Sequence, residues 1–236
     1  MTAPGCADPA SCLVPSPPAG IDQRRLRLVE KLAGTRMYRV YSLKHGYDSF
    51  NPGYGDTRFA PFSDDKGTQV ATLYLGEDEL VALLESVFHE VGTSGDRVIY
   101  ERALRERGLA YVRTPAAFQL VDLRDPALAL LGLARDQLVA TGSGHYACTR
   151  EWAVWLHGRL IRRRQADGLL WHSRKAEVVL GSAPREVVVL FGDRVPSTPG
   201  AYQLEGPGVR NLLEGEGRLF VDGLAEELAA YIEPLG

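Results

Sequence analysis

The chain has 236 residues, of which 45% are hydrophobic and 24% charged, with a formal net charge of −3. That length buries a substantial core in one large domain or a domain with an extension. The acidic balance argues against a nucleic-acid binder working by bulk electrostatics, and no apolar run approaches the ~20 residues that span a bilayer.

The three cysteines, Cys6, Cys12 and Cys148, show no close ligand spacing, so neither zinc nor another metal is expected. Their odd number, and the absence of a basic stretch followed by an apolar core at the N-terminus, point to a reducing cytoplasm.

Residues 1–20 are rich in Pro, Ala, Gly and Ser and read as a disordered tail. Residues 21–33 read as a short helix or an irregular lead-in. Met37 to Ser42 alternates and is rich in aromatic residues, which predicts a strand. His45 to Asp65 carries many Gly, Pro, Asn and Asp residues and reads as a long loop of the kind that carries function. Val70 to Leu75 is a second strand. A helix follows from Gly76, with acids in its first turn and an apolar stripe of Leu80, Leu83, Leu84, Val87 and Phe88. Glu85 falls beside that stripe.

Leu109 to Val112 and Phe118 to Asp122 predict strands, and Pro126 to Leu131 and Arg135 to Val139 predict short helices. Thr149 to Arg164 predicts a helix with Trp152, Trp155, Leu156 and Leu160 inward. Its basic run, Arg159 to Arg164, then solvates one helix face. Gly168 to His172, Val178 to Leu180 and Val187 to Phe191 read as strands, and Leu224 to Ile232 as a closing helix. Strands mixed with helices without regular βαβ alternation predict an α+β fold. The expected organisation is a tail over residues 1–20, one catalytic domain over 21–199 and a C-terminal extension over 200–236.

Several polar side chains fall at the ends of apolar elements, where a charge is costly unless something pairs with it. Arg39 lies inside a strand; it is either a solvated edge residue or a guanidinium fork for a pyrophosphate or carboxylate. Arg58, in Gly55-Asp56-Thr57-Arg58-Phe59, is either a turn residue or a second phosphate-binding arginine beside flexible glycines. Tyr74 is either a core tyrosine or an aromatic platform for a nicotinamide or adenine ring. Tyr41 is a further candidate contact on the Arg39 strand. Glu85 is either solvent-facing or a cleft carboxylate that binds ribose hydroxyls and stabilises an oxocarbenium-like cation. No second carboxylate is evident nearby, which argues against an ordinary two-carboxylate glycoside hydrolase. Ser173 lacks the Gly-flanked elbow of a serine nucleophile and instead suits orienting the glutamate or binding phosphate. An anionic, sugar-containing ligand such as a dinucleotide fits this set.

The order Tyr38-Arg39, Gly55-Asp56-Thr57-Arg58-Phe59, Leu73-Tyr74-Leu75, Ala82-Leu83-Leu84-Glu85-Ser86 and Asp167-Gly168-Leu169-Leu170-Trp171-His172-Ser173 resembles the RES domain, from about residue 35 to about residue 192. The family is named for an arginine, a glutamate and a serine. The resemblance implies a fold similar to ADP-ribosyltransferase toxins and a toxin that degrades NAD+ by cleaving the nicotinamide–ribose bond. Cleavage is by hydrolysis or by phosphorolysis, the latter giving ADP-ribose 1″-phosphate. It further implies that Arg39, Glu85 and Ser173 are the catalytic set, with Arg58, Tyr74 and Tyr41 binding substrate. The implied enzyme needs no cofactor: NAD+ is the substrate, with inorganic phosphate as the co-substrate of the phosphorolytic route. The implied partner is a small antitoxin with a helix-turn-helix domain that covers the cleft. Homodimerisation is also compatible with the family. The Pro-rich tail and the extension from about Gly200 depart from the family picture. Two other readings stay open: a transferase moving ADP-ribose onto a macromolecule, and a non-enzymatic nucleotide- or partner-binding module.

Overall fold

The computed structural model describes residues 5–20, 22–88, 91, 97–181 and 183–234. Residues 1–4 of the expected tail and 235–236 of the expected extension lie outside the described residues.

In chain order the elements are β1 (Leu28–Lys31), β2 (Arg36–Ser42), β3 (Phe62–Ser63), β4 (Gln69–Val70), β5 (Thr72–Gly76), α1 (Glu79–Leu84), β6 (Val98–Tyr100), α2 (Glu101–Leu104), β7 (Arg107–Arg113) and β8 (Phe118–Asp122). They continue with α3 (Asp125–Leu130), α4 (Tyr146–His157), β9 (Leu160–Ile161), β10 (Arg164–Gln165), β11 (Gly168–His172), α5 (Arg174–Leu180), β12 (Glu186–Phe191), β13 (Gln203–Leu204), α6 (Glu216–Glu227) and β14 (Tyr231–Glu233). The fold is α+β, as expected, built on an eight-stranded mixed sheet in the order β1-β8-β11-β12-β5-β2-β7-β13.

Side-chain alternation gives this sheet two buried faces. One face carries Val187, Val189, Leu169 and Trp171 against the helices, through Leu83 and Leu84 of α1, Trp152 of α4 and Ala176 of α5. The other face carries Leu73, Leu75, Leu170, Val188 and Leu190 with Met37 and Tyr202, and Tyr47 and Phe50 pack against it. The central strand β12 is therefore apolar on both sides. In contrast β2 and β5 pair only at Tyr38–Gly76, whereas β2 pairs with β7 along its whole length. The β2–β5 seam opens beyond that single pair.

Helix α1 starts at Asp78, whose carboxylate accepts the Val81 amide at 2.8 Å and caps the first turn. It docks directly on the end of β5: a Cβ on Gly76 would lie 2.6 Å from the Ala82 nitrogen.

Several expectations are corrected. α4 ends at His157 with Gly158 as its cap, and the basic run forms the β9–β10 hairpin. Arg162 and Arg163 turn that hairpin at φ 50 and 67, the left-handed backbone that two-residue hairpin turns need. Leu160 is accordingly 51% exposed rather than inward. Val178 to Leu180 lies inside α5, because a short apolar run is equally at home on a helix capped by Ser173. Residues 28–31 form the edge strand β1, paired with β8, after a single 3₁₀ turn at Gln23–Arg25. The 135–139 segment is a 3₁₀ turn over Arg135–Gln137. The closing helix starts earlier, at Glu216, and the chain then turns into β14, which pairs with β6.

The tail is also different. Its composition suits disorder, yet it lies along α4. The Trp152 and Trp155 indole N–H groups donate to the Pro15 and Pro18 carbonyls at 2.7 and 2.8 Å, and Val14 is buried. No described helix is long and apolar enough to cross a membrane.

One buried group makes this core pH-sensitive. His157 packs edge-on against Phe62 and Phe191, with Nε2 3.0 Å from Asp193 Oδ2. Burial and then the Arg194 charge lower its pKa from 6.5, with Asp193 opposing. Below 6.5 the unfolded chain therefore binds more protons than the folded one, and stability falls as the pH drops toward the folded pKa. Urea unfolding at about pH 7.5 and about pH 5.5 checks this. The wild type loses stability on acidification and His157→Gln loses less; equal losses would remove His157 as the cause.

Candidate active site

Glu85 follows the last turn of α1, its amide donating to Val81 O at 3.0 Å. Its side chain is partly exposed. Ser173 follows β11 and is fully buried. The Ser173 hydroxyl accepts the Ala176 amide at 3.2 Å, which caps α5, and donates to Glu85 Oε1 at 2.6 Å. One hydroxyl thus starts a helix and fixes a carboxylate. Among the described residues Glu85 Oε2 carries no hydrogen bond.

Glu85 borders a narrow cleft at the opening of the β2–β5 seam, between Tyr38, Arg39 and Val40 on one side and Tyr74 and Gly76 on the other. Tyr74 points toward the helices and meets Trp171 edge-on, ring centroids 6.1 Å apart. Its hydroxyl lies 3.0 Å from Thr57 Oγ1 and accepts the Phe59 amide at 3.0 Å. Burial pushes the phenol pKa up to about 12, so it stays a neutral donor. Tyr74 is thereby an anchor for the 57–59 loop as well as a wall of the cleft.

Arg58 extends from that loop away from the cleft's lining. Its guanidinium donates to Leu138 O at 3.2 Å, Thr141 O at 3.0 Å and Thr141 Oγ1 at 2.6 Å, and lies 5.3 Å from the Tyr146 ring centroid. Arg174 holds the same segment through Ala140 O at 2.9 Å.

Arg39 leaves β2 on the Met37 and Tyr41 side, opposite to Tyr38 and Val40, which face the helices. Its guanidinium donates to the Tyr47 carbonyl and, at 2.5 Å, to the Ser49 carbonyl. Burial lowers its pKa to about 10, opposed chiefly by the Asp48 carboxylate, and it remains a cation at neutral pH. Asp48 is 6% exposed and accepts the Gly200 amide. Tyr41 sits on the same face, 6.5 Å from the Tyr47 ring, away from Glu85.

The structure therefore joins Glu85 and Ser173 directly and lines one cleft with Glu85, Tyr74 and Arg39. It sets Arg58 behind Tyr74 and places Tyr41 on the far face. Sequence reasoning missed Thr57, which sat unremarked in the Arg58 segment, and Asp48 and Thr141, which lie in loops without periodicity. The signal for Thr57 was its place one residue before Arg58 in a turn-forming segment.

Replacing Tyr74 by Phe keeps the ring but leaves the buried Phe59 amide without its acceptor. We expect a loss of about 1–3 kcal/mol in unfolding free energy, read by urea denaturation; a loss near zero would remove Tyr74 as the loop's anchor.

A family model for the RES domain matches residues 36–205. No curated protein and no solved structure matches the chain. The matched span starts with β2 and ends just past β13, taking in the cleft, Glu85 and Ser173. It covers more than half of the 236 residues, and the chain belongs to the RES domain family.

Proposed function

We propose that this chain is a toxin-like enzyme that cleaves the nicotinamide–ribose bond of NAD+. One observation carries the reading: a partly exposed carboxylate, Glu85, is fixed through one oxygen by a buried serine hydroxyl at the mouth of a cleft. A carboxylate held this way is prepared to face positive charge without reorganising.

Nicotinamide departs as a neutral molecule, taking the electron pair of the ribose C1″–N bond. No general acid is needed, and positive charge builds on the ribose. Glu85 Oε2 stabilises that charge and orients the ribose hydroxyls. The new C1″–O bond forms to water, which gives ADP-ribose and a proton, or to a phosphate oxygen, which gives ADP-ribose 1″-phosphate. Ser173 is a positioning residue, since it is buried and acts through Glu85. Arg39 and Arg58 donate to carbonyls of the 47–49 and 138–141 loops, so their part in this reading is to hold those loops, with the Arg39 guanidinium on the face opposite Glu85 and the Arg58 guanidinium outside the cleft lining. An antitoxin that covers this cleft is the partner expected of such an enzyme.

The test is NAD+ consumption by purified wild-type protein, with and without phosphate, products identified by mass spectrometry. The wild type is expected to consume NAD+, and Glu85→Gln to lose on the order of 10²–10³ in rate. ADP-ribose 1″-phosphate confined to phosphate buffer would identify a phosphorylase, and ADP-ribose in both buffers a glycohydrolase. Labelled NAD+ marking a macromolecule would replace this reading with a transferase. Untouched NAD+ in both buffers would end it.

A further inference from the structure

All three cysteines of the chain gather in one place outside the cleft, although Cys148 is far from the other two in sequence. Cys6 and Cys12 come from the Pro-rich tail, and His145 and Cys148 from the start of α4. Cys6 Sγ lies 3.6 Å from His145 Nδ1, and Cys12 Sγ lies 3.6 Å from Cys148 Sγ. The ligand atoms of Cys6, Cys12 and His145 all lie within 4.8 Å of one another.

The geometry points to a structural zinc site built on Cys6, Cys12 and His145, which fastens the N-terminal tail to α4, with Cys148, which touches Cys12 but stands outside that mutually close set, turning in as the fourth ligand. Tetrahedral zinc with Zn–S of about 2.3 Å and Zn–N of about 2.0 Å sets ligand atoms about 3.5–3.8 Å apart. The Cys6–His145 and Cys12–Cys148 contacts at 3.6 Å fall on that edge length, and closing the remaining edges takes a movement of the Cys148 thiol toward Cys6 and His145. The Cys12–Cys148 separation is far beyond the ~2.05 Å of a disulfide bond. Three thiols and an imidazole are the donor set of a closed, structural Cys₃His site. Each thiol gives up its proton to solvent as it binds.

The surrounding backbone shapes the cluster. The Ala7 amide donates to Gly144 O at 3.0 Å, which brings the Cys6–Cys12 loop beside His145. Asp8 turns that loop by accepting the Ser11 amide at 3.3 Å. The tail has no regular secondary structure between residues 5 and 20, and Val14 is its one buried hydrophobic residue among those described. A metal whose binding free energy becomes folding free energy supplies what so small a core lacks. The separation in sequence between the Cys6–Cys12 pair and the His145–Cys148 pair is why spacing alone argued against zinc.

The test is metal content of full-length protein, purified under reducing conditions, by inductively coupled plasma mass spectrometry. We expect about one zinc per chain, with Glu85→Gln retaining it and both Cys12→Ser and His145→Ala falling to about a tenth or less. Wild-type protein stripped of zinc and loaded with Co²⁺ is expected to give the intense visible bands of tetrahedral cobalt and a thiolate charge-transfer band. Cys148→Ser is expected to reduce that charge-transfer band by about a third, as one of three thiolates is lost. An undiminished band would overturn the four-ligand set. Wild-type protein that carries no zinc and gives no tetrahedral cobalt spectrum, or that holds a Cys12–Cys148 disulfide in its place, would overturn the site. The cobalt spectrum of the wild type decides even if a variant fails to fold. None of these readouts depends on NAD+ cleavage.

Discussion

The hydrogen bond from Ser173 to Glu85 is the contact on which the candidate site depends. It joins the end of α1 to the beginning of α5. The strands that precede these helices, β5 and β11, both run antiparallel to β12, and Gly76 and Trp171 are both level with Val187. The two helices therefore leave the same end of the sheet, one strand apart, and their ends meet above Val187. The central, doubly buried strand is thus what sets the carboxylate's position.

Arginines hold the loops around this frame. Arg39 binds the 47–49 carbonyls from one face of the sheet, while Arg58 and Arg174 bind the 138–141 carbonyls on the helical side. Burying a guanidinium is unfavourable unless its donors are satisfied, and here backbone carbonyls satisfy them. These arginines thus fix the loops on the two sides of the sheet that carries the cleft. Loss of any one of these side chains would disturb the position of the loop it holds.

Much of the α+β organisation was legible because its strands carry a local signal. β2, β8, β11 and β12 each sit in a short run of alternating or doubly buried apolar residues bounded by turns. The failures came where local pattern was ambiguous or tertiary contacts decided. Val178 to Leu180 is apolar enough for a strand, yet the Ser173 cap starts a helix there. Arg159 to Arg164 continued a helical pattern that Gly158 ended. The tail's disorder-like composition gave no hint of Trp152 and Trp155, more than a hundred residues away, donating to its proline carbonyls. Glu85 and Ser173 were legible as candidates through the ordered motif set. Their mutual hydrogen bond was not, because it spans β12 and depends on sheet order. The face of Arg39 was legible in principle, since it shares alternation with Met37 and Tyr41 rather than with Tyr38.

A double-mutant cycle on Glu85 and Ser173 tests the central contact most directly, using Glu85→Gln, Ser173→Ala and the pair, with unfolding free energy and NAD+ cleavage measured on each. If Ser173 acts through Glu85, the two losses in cleavage are non-additive, and Ser173→Ala costs little once Glu85 is already changed; the coupling is expected at about 0.5–3 kcal/mol. Strictly additive losses in both measurements would contradict the account, because they would mean that the serine and the carboxylate work independently.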